Sequence, residues 1–261
     1  MERFELAREL VKEAGAALRQ SHLGAGAVFQ KTGHRDLVTC CDRETERYLR
    51  ENIQRAFPQD AIIGEEYPAS PSTPEGATWY LDPIDGTTNF VNQHKNYAIS
   101  VGCWKGRTPL FGLVLDVERD VLYQARPGAG AWRGEQRIHV SQRTRISELL
   151  LTTPGVFHTF LKPYPRQEAM LRLAEDVRGV RSLGSVALEL CAVAAGEADL
   201  FVALRSAPWD HNAARIIVTE AGGQISALSG GQLPVDEKCA VLSANSDAML
   251  QTILRDYLGD E

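Results

Sequence analysis

The sequence has no long apolar run. Its first 20 residues mix apolar side chains with charged ones such as Glu5, Arg8 and Lys12, so they lack the apolar core of a signal peptide. No other stretch approaches the roughly 20 apolar residues that a membrane span requires. We therefore expect a cytoplasmic protein with no membrane partner.

Cysteine and histidine are scarce, and neither is spaced as a metal ligand. Cys40 and Cys41 are adjacent, the other three of the five cysteines stand alone, and the six histidines include no His-x-x-x-His pair. These absences argue against a disulfide framework, a cysteine-bound metal and a zinc hydrolase. Reduced, buried thiols are expected, which fits the cytoplasm.

The chain also lacks a basic excess, because its net charge is −6. Nucleic-acid-binding surfaces usually carry such an excess, so the charge balance argues against a nucleic-acid partner. Hydrophobic residues make up 44% of the chain and charged residues 24%, which is close to the globular average and excludes a fibrous or disordered chain.

Helical patterns dominate the first part of the chain. Apolar residues recur at helical spacing as far as residue 18, and the first helix is expected to end near the glycines at 24 and 26. A polar connector, residues 30–35, precedes a second helix that Pro58 closes.

The later patterns differ between the two halves. Residues 97–125 have the alternation and the turns of antiparallel hairpins, whereas strands alternate with longer helices after Ser141. We predict an α/β (α+β) fold in one domain, 1–261, with subdomains of about 1–141 and 142–261.

Acidic residues follow two short apolar runs. Glu65 comes after the first run, and the segment DPID at residues 82–85 ends the second. Because proline fixes one φ angle and helps to bend the backbone, both aspartates and the Ile84 carbonyl could face a common point. Oxygen ligands without histidine or cysteine favour a hard cation such as Mg²⁺.

The segment GTTN at residues 86–89 indicates a glycine turn that opens a helix, and the start of a helix suits a phosphate. A cation site beside a phosphate site is the arrangement that a phosphatase needs. A further acidic residue, Asp210, stands directly before a later helical pattern. Each of these pieces also has a purely structural interpretation: a solvated loop at Glu65, a plain turn at residues 82–86, and a helix cap at Asp210. Their joint occurrence, in order and at element junctions, favours the site.

Over nearly its whole length the chain resembles the inositol monophosphatase family, within the lithium-sensitive, magnesium-dependent phosphatase superfamily, and we regard it as a bacterial-type member. The resemblance is carried by WYLDPIDGTTNF at residues 79–90 and by WDHNAA at 209–214, which runs on to EAGG at 220–223. Supporting matches are GEE at 64–66, DLVT at 36–39 followed by Asp42, and RSLGS at 181–185.

The resemblance implies a role for each matched residue. One Mg²⁺ would be held by Glu65, Asp82 and the Ile84 carbonyl, a second by Asp82, Asp85 and Asp210, and a third, weaker ion would lie near Glu65, so two to three ions per subunit are expected, with Mn²⁺ as an alternative. The catalytic residues would be Glu65, Thr87 and Asp42. The residues expected to bind substrate or phosphate are Asp85, Gly86, Thr87, Ser185, Val186 and Arg205. Lys31 matches a basic position of the family near the metal loop.

The resemblance also implies a fold and an assembly. The expected fold is the layered α-β-α-β-α sandwich of the inositol monophosphatase and fructose-1,6-bisphosphatase type, with an antiparallel sheet in the first half and a mixed sheet in the second. A homodimer and inhibition by lithium are expected on the same ground.

The substrate is less well defined than the chemistry. In animal inositol monophosphatases a glutamate seven residues before the Trp-Asp aspartate contacts inositol, and here that position is Ala203. For Arg205, the only charge nearby, two roles stay open: binding an acidic group of the substrate, or facing solvent. Inositol monophosphate stays the first candidate, ahead of 3'-phosphoadenosine 5'-phosphate, fructose 1,6-bisphosphate and histidinol phosphate.

A different hypothesis is a non-catalytic binding protein on the same scaffold, because some bacterial relatives act in RNA-polymerase-associated complexes. A scaffold without catalysis would not need the full set of acidic and hydroxyl residues. All of that set is present, namely Glu65, Asp82, Asp85, Asp210, Asp42 and Thr87.

Overall fold

The protein, analysed as a computed structural model, consists of five alternating layers of helices and sheets. The structure describes residues 2–21, 28–33, 36–71, 73, 75–161 and 166–258. The helices are α1 (Arg3–Gln20), α2 (Cys40–Ala56), α3 (Thr87–Gln93), α4 (Gln167–Asp176), α5 (Val186–Ala194), α6 (Pro208–Glu220) and α7 (Asp247–Asp256). A 3₁₀ turn (Ile146–Glu148) and a π-helical turn (Phe157–Leu161) add to these.

The strands form two large sheets and one hairpin. They are β1 (Val28–Gly33), β2 (Asp36–Thr39), β3 (Ala61–Gly64), β4 (Thr78–Asp85), β5 (Ala98–Lys105), β6 (Thr108–Asp116), β7 (Val121–Arg126), β8 (Gly130–Arg133), β9 (Gln136–Ile138), β10 (Leu150–Thr152), β11 (Gly179–Arg181), β12 (Leu200–Ser206), β13 (Gln224–Ala227) and β14 (Cys239–Ala244). Strands β1 and β2 pair with each other.

The first large sheet has seven strands in the order β3-β4-β5-β6-β7-β8-β9. All neighbours are antiparallel except β3 and β4, which run parallel. Helices α1 and α2 pack on one face of this sheet, over a core that includes the fully buried Trp79 and Phe111. The parallel pair matters for function, because it brings the carboxyl ends of both strands to the same edge of the sheet.

The second large sheet is mixed, with the order β11-β10-β12-β14-β13. Helices α5 and α6 lie between the two sheets, and α4 and α7 cover the outer face of the second. The approach of α6 to the first sheet is close, since a Cβ on Gly112 would lie 2.1 Å from the Ala213 carbonyl oxygen. The predicted α-β-α-β-α layering and the mixed second sheet are therefore confirmed.

One local prediction was wrong, and two strands were not predicted. Part of the expected polar connector forms strand β1, because pairing with β2 satisfies the backbone groups of a segment with no apolar pattern. Strands β8 and β9 were not predicted, because the glycines after β7 indicate a break in the chain; Gly128 and Gly130 have φ angles of +77° and +76° and form the turn into β8, a conformation that glycine adopts at little cost. The first helix ends at Gln20, and the glycines at 24 and 26 lie outside the described residues.

No helix in the described part of the chain is long and apolar enough to cross a membrane.

Candidate active site

The acidic strand ends meet because β3 and β4 are parallel and in register. Gly64 pairs with Leu81, so Glu65 and Asp82 are the next residues on adjacent strands. The register of β4 against β5 shifts between Asp82 and Asp85, where Pro83 interrupts the ladder, and the Ile84 amide donates a hydrogen bond to Asp82 Oδ1 at 3.1 Å. The bend predicted for this segment is present.

Asp85 is held by the start of a helix from the other half of the chain. Its carboxylate accepts hydrogen bonds from Ser185 Oγ at 2.7 Å, the Val186 amide at 3.3 Å and the Ala187 amide at 2.6 Å. These amides belong to the first turn of α5, whose N-terminus favours a negative charge. Asp85 therefore links β4 to the start of α5, and the charges of neighbouring carboxylates act on it as well.

Asp210 lies in the first turn of α6 and reaches the site from that side. It accepts a hydrogen bond from the Ala207 amide at 2.7 Å and lies 3.4 Å from Ser206 Oγ. The sequence left open whether this aspartate is a helix cap or a ligand. The cap interaction is present, and the same carboxylate influences Asp82, so the two roles are compatible.

The carboxylates raise one another's proton affinity. Burial raises the pKa of Asp82 well above its ordinary value, and the charges of Glu65, Asp85 and Asp210 raise it further. Burial raises the pKa of Asp85 to about 6 and that of Asp210 to about 8, with nearby carboxylates adding to both shifts. A cluster of buried negative charges of this kind is what a divalent cation would neutralise.

The donor set fits a hard cation. All its members are carboxylate or carbonyl oxygens, which Mg²⁺ prefers. Among the described residues, no three acidic, histidine or cysteine side chains form a metal cage by themselves. An open set of carboxylates agrees with the habit of Mg²⁺ of keeping several waters and binding through few carboxylates together with substrate phosphate.

Thr87 and Asp42 form a hydroxyl–carboxylate pair beside the strand ends. Thr87 Oγ1 lies 3.1 Å from Asp42 Oδ1 and 3.1 Å from the Ile84 carbonyl oxygen. Asp42 is fully buried and also accepts hydrogen bonds from the Thr39 amide at 2.7 Å and the Thr39 hydroxyl at 2.6 Å, so its position is fixed. Burial raises the pKa of Asp42 to about 6. The predicted contact between Thr87 and Asp42 is therefore present.

The glycine turn before α3 has the predicted form. Gly86 has a φ angle of +97°, and a Cβ there would lie 3.0 Å from the Asn96 carbonyl oxygen and 3.3 Å from that of Gly184. Only glycine fits this turn. The amides that follow begin α3 and have no acceptor within the helix, so they can face an anion.

Two predicted substrate residues, Ser185 and Val186, and also Ala203 lie in unexpected surroundings. Ser185 and Val186 were expected to bind substrate, but their donor groups are engaged by Asp85, because the start of α5 caps that carboxylate. Ala203 is 1% exposed and belongs to the core between the sheets, so it does not line an open site. Arg205 is exposed at the end of β12, which is compatible with its predicted role but does not test it. Lys31 lies in β1, and its side chain is outside the described part of the structure.

Sequence reasoning missed Asn89 as a supporting residue. Its Nδ2 donates to the Leu183 carbonyl oxygen at 2.6 Å and to the Asn96 carbonyl oxygen at 2.9 Å. It therefore ties α3 to the loop before α5. Its place at the end of the DPIDGTTN segment was the available signal, but both partners are backbone groups that a sequence pattern does not identify.

Comparisons with known proteins identify the family of this chain. The model of the inositol monophosphatase family matches residues 2–258. The Inositol-1-monophosphatase of Bacillus subtilis (strain 168) is 38% identical over 255 residues, which cover 97% of this chain and 96% of that protein.

Solved structures give the same result. The Staphylococcal enzyme SaIMPase-II with inositol monophosphate bound aligns with a TM-score of 0.84 at 31% identity, covering 99% of this chain and 94% of that one. With 2'AMP bound, the same enzyme aligns with a TM-score of 0.86 at 33% identity, covering 99% and 95%. The chain therefore belongs to the inositol monophosphatase family, whose members are phosphoric monoester hydrolases that generally depend on metal ions.

Proposed function

We propose that this chain is a Mg²⁺-dependent phosphatase for a small phosphate monoester, with inositol monophosphate as the first candidate substrate. The observation that carries the proposal is the convergence of carboxylates from β3, β4 and α6 beside the glycine turn before α3. The proposed metal ligands are Glu65, Asp82, the Ile84 carbonyl, Asp85 and Asp210. When bound, the cations would neutralise phosphoryl oxygens, acidify a water molecule and stabilise the leaving oxygen.

Residues of the chain orient the attacking water and bind the phosphate. Glu65 and Thr87 orient the attacking water, and Asp42 fixes the Thr87 hydroxyl by accepting its hydrogen bond. The amides of Gly86 and Thr87 bind the phosphate at the start of α3. Because no cysteine or serine nucleophile takes part in this scheme, the phosphoryl group passes directly to water.

The proposed substrate is a monoester on a ring hydroxyl. SaIMPase-II has been determined with inositol monophosphate and with 2'AMP, and both ligands carry phosphate on a secondary ring alcohol. Arg205 would lie on the leaving-group side, where its charge suits substrates with a second anionic group. The alternatives are 3'-phosphoadenosine 5'-phosphate, fructose 1,6-bisphosphate and histidinol phosphate.

The test is phosphate release from these five esters with Mg²⁺, with Mn²⁺ and in EDTA. Asp210→Asn is expected to reduce kcat/KM by about 10²-fold or more, because it removes a charge that the cation needs. Glu175→Gln, an exposed carboxylate on α4, is the matched control and should leave activity unchanged. Full activity in EDTA would contradict the proposal, and indifference to millimolar Li⁺ would contradict the expected lithium sensitivity.

Specificity is best tested at Arg205. The burial of Ala203 makes Ala203→Glu unsuitable, since that change would place a charge in the core. Arg205→Gln is expected to raise KM most for the bisphosphates and least for inositol monophosphate. Equal effects on every ester would exclude Arg205 as a specificity residue.

We also propose that the protein is a homodimer. Large apolar side chains are exposed on and beside the π-helical turn and on α4, which contact each other: they are Val156, Phe157, Leu161, which is 62% exposed, and Leu171, which is 43% exposed. Clustered exposed apolar residues are typical of protein interfaces. Leu161→Glu with Leu171→Glu should therefore shift the mass in analytical ultracentrifugation from dimer to monomer, whereas Phe29→Glu, an exposed residue of β1, should not.

A further inference from the structure

The loop between β11 and α5 carries the groups that hold Asp85. It contains Leu183 and Gly184 and leads into Ser185, whose hydroxyl binds Asp85 at 2.7 Å. The Ala187 amide, two residues further on, binds the same carboxylate at 2.6 Å. The position of this loop therefore decides how Asp85 is oriented.

A second buried carboxylate, on α5 itself, accepts hydrogen bonds from this loop. Glu189 is fully buried, and its Oε1 accepts hydrogen bonds from the Leu183 amide at 2.6 Å and the Gly184 amide at 3.1 Å. Burial raises the pKa of Glu189 to about 7, and these two amides act in the opposite direction. The side chain thus folds back over the start of its own helix and binds the two residues immediately before Ser185.

The carboxylate of Glu189 also lies near Thr152 of β10. The Thr152 hydroxyl lies close enough to lower the pKa of Glu189. Among the described residues, however, neither Thr152 Oγ1 nor Glu189 Oε2 has a partner at hydrogen-bonding distance and angle. The carboxylate is therefore held mainly through Oε1. Hydrogen bonds to both of its oxygens do not explain its burial, because only Oε1 has them.

The opposite side of the loop is held by α3. Asn89 Nδ2 donates to the Leu183 carbonyl oxygen at 2.6 Å, so the Leu183 peptide is bound at both its amide and its carbonyl. Gly184 has a φ angle of +80°, and a Cβ there would lie 2.9 Å from Asn89 Nδ2. The loop is therefore fixed between α3 and α5 with little free space.

Burying a carboxylate is costly, and the rest of α5 offers no reason for it. The neighbours of Glu189 along the helix, Leu188, Leu190 and Cys191, all belong to the apolar core between the sheets. A leucine of similar size would suit such a core position better than a charge does. The function of the carboxylate must therefore lie in what it binds, which is the loop.

We propose that Glu189 is a positioning residue: by binding the Leu183 and Gly184 amides, it fixes the start of α5 against Asp85 and so sets the affinity of Asp85 for its cation. This inference rests on the proposed function only in assigning a cation to Asp85. The coupling of Glu189 to the amides that bind Asp85 is a matter of geometry and does not depend on the proposed function.

The test compares three substitutions with a matched control. Glu189→Leu removes the acceptor, Glu189→Asp keeps the charge but shortens its reach, and Glu189→Gln keeps Oε1 in place. The control is Asp60→Asn, another buried carboxylate, which binds Arg3, the Ala77 amide and Trp79 at the opposite end of β3 from Glu65.

The first measurement is amide hydrogen exchange at Val186 and Ala187 in cation-free protein. These amides bind Asp85 and not Glu189, so they report the coupling directly. Exchange there is expected to be about tenfold faster or more in Glu189→Leu and Glu189→Asp, and close to the parent rate in Glu189→Gln and Asp60→Asn.

The second measurement is the Mg²⁺ concentration that gives half of the maximal rise in melting temperature. Residues that orient a metal ligand typically change metal affinity about 10- to 100-fold when removed, so Glu189→Leu should need at least tenfold more Mg²⁺ than the parent. Asp60→Asn should lower the melting temperature without changing this concentration.

The proposal is overturned if Val186 and Ala187 exchange at the parent rate in Glu189→Leu, if Glu189→Gln exchanges as fast as Glu189→Leu, or if Asp60→Asn has the same effect. Should Glu189→Leu not fold, Glu189→Asp decides by the same criteria. Failure of the proposed function is distinguishable, because the parent protein would then release no phosphate while the exchange experiment still reports the coupling.

Discussion

At the scale of single residues, the site depends on buried groups that have fixed partners. The Thr87 hydroxyl lies between Asp42 Oδ1 and the Ile84 carbonyl oxygen, and Asp42 is in turn held by the amide and hydroxyl of Thr39. The same Thr39–Asp42 contacts cap the start of α2. The first turn of a helix thus fixes the Thr87 hydroxyl, which lies 45 residues further along the chain.

Removing the Thr87 hydroxyl tests this arrangement. Thr87→Ala is expected to lower kcat by about 10²- to 10⁴-fold, the range for a group that handles a proton in the transition state. Thr87→Ser keeps the hydroxyl and should retain most of the activity. The measurement is the initial rate of phosphate release, with melting temperature as the folding control; similar rates for the two variants would contradict the role.

At the scale of elements, helix starts and strand ends converge on the carboxylates. The parallel pair β3–β4 brings Glu65 beside Asp82, α5 presents its first amides to Asp85, and α6 carries Asp210 in its first turn. Helix starts stabilise negative charge, so these elements make the burial of several carboxylates tolerable. The loop before α5, which belongs to the second half of the chain, passes close to α3, which belongs to the first. This contact is the junction between the two halves of the chain.

Two glycines have nearly the same φ angle but different surroundings. Substituting each of them therefore distinguishes backbone strain from steric crowding at this junction. Gly184 has a φ angle of +80° with Asn89 only 2.9 Å from a Cβ, whereas Gly128 has a φ angle of +77° with nothing within 4 Å. Gly128→Ala should cost about 1 to 2 kcal/mol, the penalty for an L residue in this region. Gly184→Ala should cost more.

Only Gly184→Ala should also reduce kcat/KM, by about tenfold or more, because only this glycine contacts the residues that orient Asp85. The measurements are urea unfolding and steady-state kinetics on both variants. Equal losses of stability, or an equal loss of activity in Gly128→Ala, would show that the junction is not tightly packed.

At the scale of the whole molecule, the site lies between the two sheets, where burial raises the pKa of several carboxyl groups. The pKa of Asp210 is about 8 and that of Glu189 about 7 in the folded protein, well above the ordinary values of such groups. Between the ordinary and the raised pKa, the folded state keeps protons that the unfolded chain has lost. Stability therefore falls as the pH rises through this window.

The free energy of unfolding in chelator should consequently fall between about pH 6.5 and 8. His211 has the opposite effect, because burial lowers its pKa to about 4, but only about half a kcal/mol of this gain in stability remains to be made above pH 6.5. Mg²⁺ should reduce the fall, since it favours the charged carboxylates. Urea unfolding at the two pH values checks this, and a slope that Asp210→Asn does not reduce would contradict it.

Much of the site could be predicted from the sequence because its residues lie close together along the chain. The segment 82–89 contains two carboxylates, the turn glycine and the Thr87 hydroxyl, and local backbone preferences already fix their relation. The layered fold followed from the family resemblance, and the hairpins from their alternation. Boundaries were less certain: β8 and β9 were missed because their glycines indicated a break rather than a turn.

The sequence by itself determined the family, the acidic residues and the glycine turn, since these depend on residue type and short spacing. Only the tertiary structure decided that Ser185 and Val186 bind Asp85, that Ala203 lies in the core and that Glu189 grips the loop before α5. These facts depend on backbone amides and on burial between two sheets. Neither leaves a pattern in the sequence, because the bound amides are backbone groups, and because the contact of Ser185 with Asp85 joins segments 100 residues apart.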